Sequence, residues 1–267
     1  MAVSFVFGLV VGSFLNVTIY RLPRGESLRA PGSHCPSCGA PIRWYDNIPV
    51  VSFLLLRGRC RACKGKISIR YPVVEILTGA IYAFLFYRML VAPGEGHIGV
   101  FLVYAVLASM LISASFIDMA HQIIPDEITI PGMMVAPLVS LLYPALHESL
   151  FFAEPHLGAL ANSVAGMAIG AASIYLTGVL GKWAFKREAM GFGDVKLLGM
   201  IGGFLGWKAV SLTFILAPIL GSIIGAIVAL RTRNRVIPYG PFLSLAALVS
   251  MTYGNEVIVW YVSLFTS

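Results

Sequence analysis

Charged residues are scarce in this sequence of 267 residues: they make up 12% of it, whereas 58% of the residues are apolar. A soluble globular domain averages about 25% charged residues, so this composition argues against a soluble fold. Apolar runs of roughly 20 residues recur along the chain, and each is long enough to cross a bilayer as a helix. The alternating pattern of a membrane β-barrel is nearly missing. We therefore expect an all-α polytopic membrane protein.

A cleavable secretory signal is not expected either, because the first apolar run has no positive residue before it and no clear small-residue cleavage site after it. We interpret this run as a transmembrane helix rather than a signal peptide. It is followed by a soluble loop domain at 21–72 and a transmembrane domain at 73–267. About eight transmembrane helices are predicted in all, at 1–20, 73–91, 98–117, 127–147, 158–181, 194–207, 209–230 and 237–263.

Positive charge is distributed unevenly between the predicted loops. With the N-terminus on the periplasmic side, ten Lys and Arg fall in loop 21–72, three in loop 182–193 and three in loop 231–236, which is 16 of the 19 in the chain. By the positive-inside rule this side is cytoplasmic. The net charge of +7 is thus mostly a consequence of topology. We expect no nucleic-acid partner, although attraction to anionic membrane lipid fits the charge. The opposite loops hold three acidic residues: Glu95, Glu148 and Glu154.

Cysteine is absent outside the loop domain, where all four cysteines form two C-x2-C pairs with 21 residues between them. Four thiolates at this spacing can bind Zn²⁺ tetrahedrally, and Gly39 and Gly65 permit the tight turns that such a site needs. A reducing cytoplasm disfavours disulfides, and the paired spacing favours zinc over an iron–sulfur cluster. We expect His34 to be a bystander. The predicted metal ligands of this structural site are Cys35, Cys38, Cys60 and Cys63.

Ionisable residues beside transmembrane helices are few, and such residues are usually functional. Asp118 closes the third predicted helix and Asp194 opens the sixth, so both lie at the cytoplasmic edge of the membrane. If the two helices are neighbours, the carboxylates can share a water, and their mutual repulsion separates their titrations into an acid and a base. As alternatives, Asp118 could merely end its helix, and Asp194 could be a helix cap.

Other acidic residues have simpler interpretations. Asp126 follows Pro125 and precedes an apolar run, which predicts an N-cap or first-turn position. Glu75 starts the second helix, where it could pair with a basic loop residue or lie at the interface. Glu256 is expected to be solvated on the outer side, and His121 in its loop.

Taken together, these residues resemble the bacterial type IV prepilin peptidase family, the GxGD-type aspartyl proteases of the inner membrane. The resemblance covers most of the chain, and its ordered set of motifs is far more specific than a lone GxGD. The family often has Phe where Tyr239 stands, which puts nothing catalytic in doubt. The matching segments are Gly12–Val17, Arg21–Pro23, Cys35–Cys38, Asn47–Pro49, Cys60–Cys63, Ile67–Ser68, Tyr71–Glu75, Asp118 with Ile124–Asp126, Gly191–Lys196 and Ile237–Phe242.

The resemblance implies that Asp118 and Asp194 are the catalytic aspartates. It implies that the substrates are type IV prepilins or the pseudopilins of type II secretion, cleaved after glycine on the cytoplasmic face. It also implies N-methylation of the new N-terminus with S-adenosylmethionine. A dinucleotide-type G-x-G-x-x-G after a strand is lacking, so the sequence does not locate the methyl-donor site.

Two other classes of function remain open at this stage. A proton-coupled carrier would use intramembrane acids and many glycines, but its acids should lie near the bilayer midplane. A non-enzymatic metal sensor or assembly scaffold would use the cysteine loop for docking, and its aspartates would be dispensable.

Overall fold

The described part of the chain is built almost entirely from α-helices. A computed structural model describes residues 1–92, 96–147, 153–186, 190–231 and 238–266. Across these ranges it contains no β-strand, only two isolated bridges in the cysteine loop. The all-α prediction is therefore confirmed. The helices are α1 (Ala2–Arg21), α2 (Val51–Leu55), α3 (Arg70–Phe86), α4 (Ile98–His121), α5 (Asp126–Leu142), α6 (Pro155–Phe185), α7 (Phe192–Arg231) and α8 (Gly240–Thr266).

Six helices in the described ranges are long and apolar enough to cross a membrane: α1, α3, α4, α6, α7 and α8. This is slightly fewer than the eight predicted, for two reasons. The first is that α5 has only 17 residues and contains Pro131 and Pro137. The second is that the sixth and seventh predicted helices form the single element α7. The chain is a multi-pass membrane protein.

The chain divides into two compact units, Met1–Ser113 and Ala114–Ser267. In the first unit, α1 and α3 run antiparallel with their backbones in close approach. A Cβ atom on Gly8 would lie 2.7 Å from the Cα of Gly79. A Cβ atom on Gly12 would lie 2.7 Å from the Cα of Glu75. Small residues at these positions let the two helices pack backbone to backbone.

In the second unit, α6 and α7 approach even more closely. A Cβ atom on Gly166 would lie 2.3 Å from the Gly202 carbonyl oxygen, and one on Gly202 would lie 2.1 Å from the Gly166 carbonyl oxygen. The Ser163 hydroxyl donates to the Gly203 carbonyl at 2.7 Å, which adds a buried polar contact to this seam. The seam fixes the first segment of α7, whose N-terminal turn carries Asp194.

Gly206 divides α7 into two segments, since its φ of 77° and ψ of 175° are not helical. The side-chain oxygen of Asn162 accepts the Trp207 N–H at 3.1 Å and so caps the second segment from a neighbouring helix. The predicted boundary between helices 194–207 and 209–230 thus corresponds to a kink. The two predicted helices therefore correspond to the two segments of α7, which together count as one candidate span.

Several helix ends differ from their predicted positions. The largest difference that affects the site is in α4, which was expected to end at residue 117 and continues to His121. Asp118 therefore lies within the last turn of the helix instead of closing it. α6 begins three residues earlier and ends four residues later than predicted. Some predicted features lie outside the described residues, namely Glu95, Glu148, Arg187, Arg233, Arg235 and Ile237.

Candidate active site and metal site

Asp118 is buried in the last turn of α4, with 6% of its surface exposed. Its Oδ2 atom accepts a hydrogen bond of 2.9 Å from the backbone N–H of Gly240, the first residue of α8. A helix N-terminus carries partial positive charge, which favours a carboxylate there. A Cβ atom at position 240 would lie 2.7 Å from the same oxygen. Glycine is therefore required at position 240 if the carboxylate is to keep this place.

Asp194 is the third residue of α7 and lies partly buried behind the glycine pair of the G-x-G-D segment. The Gly191 N–H donates to its carboxylate, and the Asp194 N–H donates back to the Gly191 carbonyl at 3.2 Å. This reciprocal arrangement resembles a capping box. A Cβ atom on Gly193 would lie 3.1 Å from the Cβ of Ile124, so the turn packs closely against the residues that precede α5.

The structure brings Asp118 and Asp194 together in the second unit, close enough for their charges to interact. Tyr239, which directly precedes Gly240, lies near Asp194. Burial and the negative charge of Asp194 raise the pKa of the Tyr239 phenol to about 12. The phenol therefore remains protonated at neutral pH and can act as a hydrogen-bond donor. Neither Tyr239 nor Gly240 was given a role from the sequence, where only their place in a Pro- and Gly-containing motif distinguished them.

Asp126 does not act as an N-cap, because that position belongs to Pro125. Its side chain lies in the first turn of α5, as predicted, and forms an ion pair with the Nζ atom of Lys196. Lys196 is two residues beyond Asp194, and its Nζ lies 5.1 Å from the Phe192 ring centroid. The ion pair ties the start of α5 to the start of α7.

Glu75 neither pairs with a basic residue nor lies at a wet interface. It is 8% exposed and accepts the Val50 N–H at 2.7 Å together with the Ser13 hydroxyl. Both partners belong to the first unit, where the bond fixes the turn that enters α2. Val50 has a φ of 60°, which is unusual for a β-branched residue, so this turn needs such support. Glu256 and His121 are exposed, in line with their predicted solvation.

The four cysteines of the loop form one cluster in which all sulfur atoms lie within 4.8 Å of one another. The Cys35 and Cys63 sulfurs, for example, are 4.0 Å apart. A zinc ion with bonds of 2.3 Å in a tetrahedron separates its ligands by about 3.8 Å. The cysteines are free, and a disulfide would require about 2.05 Å between sulfurs. The cluster therefore fits a tetrahedral metal ion.

The two halves of the cluster repeat one backbone pattern. The Cys35 N–H donates to the Ala40 carbonyl at 2.9 Å, and the Cys60 N–H donates to the Gly65 carbonyl at 2.8 Å. The Ser37 N–H is the largest influence on Cys35 and lowers the pKa of its thiol to about 6. His34 lies outside the cluster, with its Nδ1 atom 3.0 Å from the Gly32 carbonyl.

The residues that allow the tight turns are only partly those predicted. Gly39, which follows the first pair, has a φ of 71°. In the second half the left-handed residue is Lys64, with a φ of 60°, and not Gly65. A Cβ atom on Gly65 would instead lie 3.3 Å from the Cys63 sulfur, so glycine leaves room there for the metal ligand.

Comparison with known proteins gives matches over most of the chain. Residues 6–89 match the bacterial Peptidase A24 N-terminal domain, and residues 105–226 match the type IV leader peptidase family. The chain is 35% identical to a prepilin leader peptidase/N-methyltransferase of Aeromonas hydrophila, over 98% of this chain and 93% of that relative. It is 34% identical to the protein of the same description from Pseudomonas putida, over 94% of this chain and 90% of the relative. No solved structure matches the chain. On both the family models and these relatives, the chain belongs to the type IV leader peptidase family, as its motifs predicted.

Proposed function

We propose that the chain removes the leader peptide of type IV prepilins or related pseudopilins, with Asp118 and Asp194 as the catalytic pair, and then methylates the new N-terminus. The observation that carries this proposal is the meeting of the two carboxylates where α4, α7 and α8 have adjoining ends. The relatives are described as bifunctional enzymes of this kind, which supports both activities.

The chemistry follows from two carboxylates that cannot both hold a full charge at close range. One takes a proton from a water molecule, which attacks the carbonyl carbon of the scissile peptide bond. The other donates a proton to the carbonyl oxygen, and the C–N bond breaks as the amine is protonated. The N–H groups of Gly240 and Gly191 hold the two carboxylates in place throughout.

The location of the site fits a substrate that has one end in water and the other in lipid. The distribution of Lys and Arg predicts that this end of α4 and α7 faces the cytoplasm. In this orientation a positively charged leader stays in the cytoplasm while the apolar helix behind it enters the bilayer. Phe192, at the first position of α7, is 66% exposed and offers an apolar contact for that helix. The membrane is then the inner membrane of a bacterium.

The cysteine cluster fits zinc in a structural role, because four thiolates leave no open coordination position for water or substrate. Cys35, Cys38, Cys60 and Cys63 would hold the ion. Metal binding would stabilise a loop that has little apolar core of its own. Peptide hydrolysis by the aspartates then proceeds without a contribution from this ion.

A cavity of about 340 Å³ beside α1 has features that suit a methyl donor. Arg21 lines it and is only 5% exposed. S-adenosylmethionine supplies an electrophilic methyl group when bound, and it also carries a carboxylate and a positive sulfonium. Arg21 would hold the carboxylate. Glu75 accepts a hydrogen bond from Ser13, which lines the cavity, and its carboxylate would balance the positive charge of the sulfonium. The guanidinium of Arg21 otherwise donates to three neutral carbonyls, those of Ser27, Pro31 and Gly32.

The test is cleavage of a prepilin with a Gly-Phe junction by the purified protein in lipid, followed by mass spectrometry with and without S-adenosylmethionine. We expect wild type to release the leader and to add a methyl group when the donor is present. Asp118→Asn and Asp194→Asn should each lower the cleavage rate by about 10³-fold, because each removes half of the acid–base pair. Both variants should still bind S-adenosylhomocysteine with wild-type affinity in a calorimetric titration.

The matched control is Glu127→Gln, which makes the same acid-to-amide change at an exposed residue of α5. It should cleave at the wild-type rate. Cleavage that survives both aspartate substitutions would place the active site elsewhere and refute the assignment. If the wild-type protein is folded but does not cleave the prepilin, the result would favour a carrier or scaffold function instead.

A further inference from the structure

The short helix α2 exposes three large apolar side chains although it belongs to the soluble loop. Val51 is 47% exposed, Leu54 66% and Leu55 75%. A contiguous apolar patch of this kind on an aqueous domain usually marks an interaction site. The patch is therefore expected to be covered in the working protein.

The start of α2 lies level with the start of a membrane-spanning helix. The Val50 N–H, at the N-cap of α2, donates to the carboxylate of Glu75 at 2.7 Å, and Glu75 is in the second turn of α3. Both ends of the loop are also continuous with spanning helices, α1 and α3. α2 is thus held beside the first two turns of a candidate spanning helix, at the end where that helix would meet the membrane surface.

An aromatic side chain, that of Trp44, belongs to a turn that packs beside α2. The Ser52 hydroxyl in α2 donates to the Tyr45 carbonyl at 3.0 Å, which holds the Trp44–Asp46 turn beside the helix. Trp44 itself is 81% exposed. Tryptophan is enriched at membrane interfaces, where its ring lies among the headgroups.

A basic cavity of about 470 Å³ opens at the end of α2. None of the described residues that line it is acidic. Asp46, which lies outside the lining, forms a bidentate ion pair with Arg61. The cavity keeps a positive excess, because this pair neutralises only one of its four basic residues. Its four basic residues are Arg57, Arg59, Arg61 and Lys64, and Leu55, Leu56 and Cys60 complete the wall.

We infer that α2 and this basic cavity together form a binding site for anionic phospholipid. Val51, Leu54 and Leu55 enter the acyl boundary, and the basic residues bind the lipid phosphate. This combination of an exposed apolar turn and adjacent cations at membrane level is the chemistry of an interfacial anchor. Because Cys60 is part of the cavity wall, bound lipid would hold the metal site against the membrane surface. The inference goes beyond the peptidase and methyltransferase activities and does not depend on them.

The experiment titrates brominated phosphatidylglycerol into the detergent-solubilised protein and follows the quenching of Trp44. A Trp44→Phe variant gives the signal of the other three tryptophans, which is subtracted. One cation at a membrane surface contributes roughly a fivefold change in affinity, so the double variant Arg57→Gln/Arg59→Gln should bind about 25-fold more weakly. Brominated phosphatidylcholine should quench wild type at much higher concentrations only.

The matched control is Arg24→Gln, which removes one charge from an exposed residue of the same loop that lines neither this cavity nor the one beside α1. Its affinity for phosphatidylglycerol should match wild type. A second variant, Leu54→Ser/Leu55→Ser, keeps every charge and should still lose quenching, since the apolar part of the site is gone. Bound zinc and leader cleavage, measured in the same preparations, show that each variant is folded.

Three results would overturn the inference. The first is equal binding of the two brominated lipids by wild type. The second is an equal loss of affinity in Arg24→Gln and in the double variant, because that would show a general effect of net charge. The third is binding of polyglutamate in place of phosphatidylglycerol, which would indicate an acidic protein partner. A preparation that binds the lipid but does not cleave prepilin would instead contradict only the proposed function.

Discussion

At the scale of single residues, the four cysteines and the adjacent His34 give a direct test of the metal site. Cys38→Ser should abolish stoichiometric zinc binding, since the remaining three thiolates no longer close the tetrahedron. His34→Ala should retain one zinc ion per chain, because its ring lies outside the cluster. Metal analysis by mass spectrometry of the purified variants measures both. Loss of zinc in His34→Ala would show that the histidine is a ligand after all.

Residue types with unusual chemistry were the easiest to predict from the sequence. The paired cysteines were selected by their spacing alone. Topology placed the two aspartates at one edge of the membrane, and the family resemblance then distinguished them from helix-end residues. Their partners were not predictable in the same way. Gly240 meets Asp118 from 122 residues away, and Lys196 meets Asp126 from 70 residues away. Such contacts depend on tertiary packing, which local patterns do not encode.

At the scale of helices, the seam between α6 and α7 predicts a sharp contrast between two glycines of the same helix. Gly166→Ala would force a methyl group to within 2.3 Å of a backbone oxygen that cannot move aside alone. We expect the free energy of unfolding to fall by about 3 kcal/mol, with a matching loss of thermal stability in detergent.

The control for this prediction is Gly178→Ala, also in α6. Its new Cβ atom would lie 3.4 Å from the Cβ of Met190, which is an ordinary contact. This variant should be as stable as wild type or more stable by up to about 1 kcal/mol, because alanine favours the helix. Equal stability of the two variants would mean that the α6–α7 seam is looser than the structure shows.

Helix positions were predicted well and helix ends poorly, for identifiable reasons. Hydropathy falls after residue 117, yet α4 continues for another turn because the Asp118 side chain is satisfied by Gly240. Hydropathy also carries no information about the backbone conformation at Gly206. There the Asn162 side chain, which belongs to another helix, caps the second segment of α7. In both places a side-chain contact distant in sequence decides the local structure.

At the scale of the whole molecule, the distribution of positive charge predicts the orientation in the membrane. After removal of metal, a membrane-impermeant maleimide should label the four cysteines in inverted inner-membrane vesicles. It should leave them unlabelled in intact spheroplasts, because the loop that carries them faces the cytoplasm. Labelling is measured by the mass of the loop peptide after digestion.

The control for the orientation is a cysteine introduced at Glu154, in a loop predicted on the opposite side, within a chain whose native cysteines are changed to serine. It should show the reverse pattern of labelling. If the native cysteines react in spheroplasts, the predicted orientation is inverted, and the proposed site would face the periplasm.

The hydrogen bond between Asp118 and Gly240 also has a consequence for biosynthesis. A ribosome adds about 5–20 residues per second, so on the order of ten seconds pass between the synthesis of these two residues. During that interval α4 is already made, but the N–H group that orients its aspartate does not yet exist. The proposed protease therefore acquires its hydrogen-bonded site only after α8 has entered the membrane, and a nascent chain cannot process substrate before that moment.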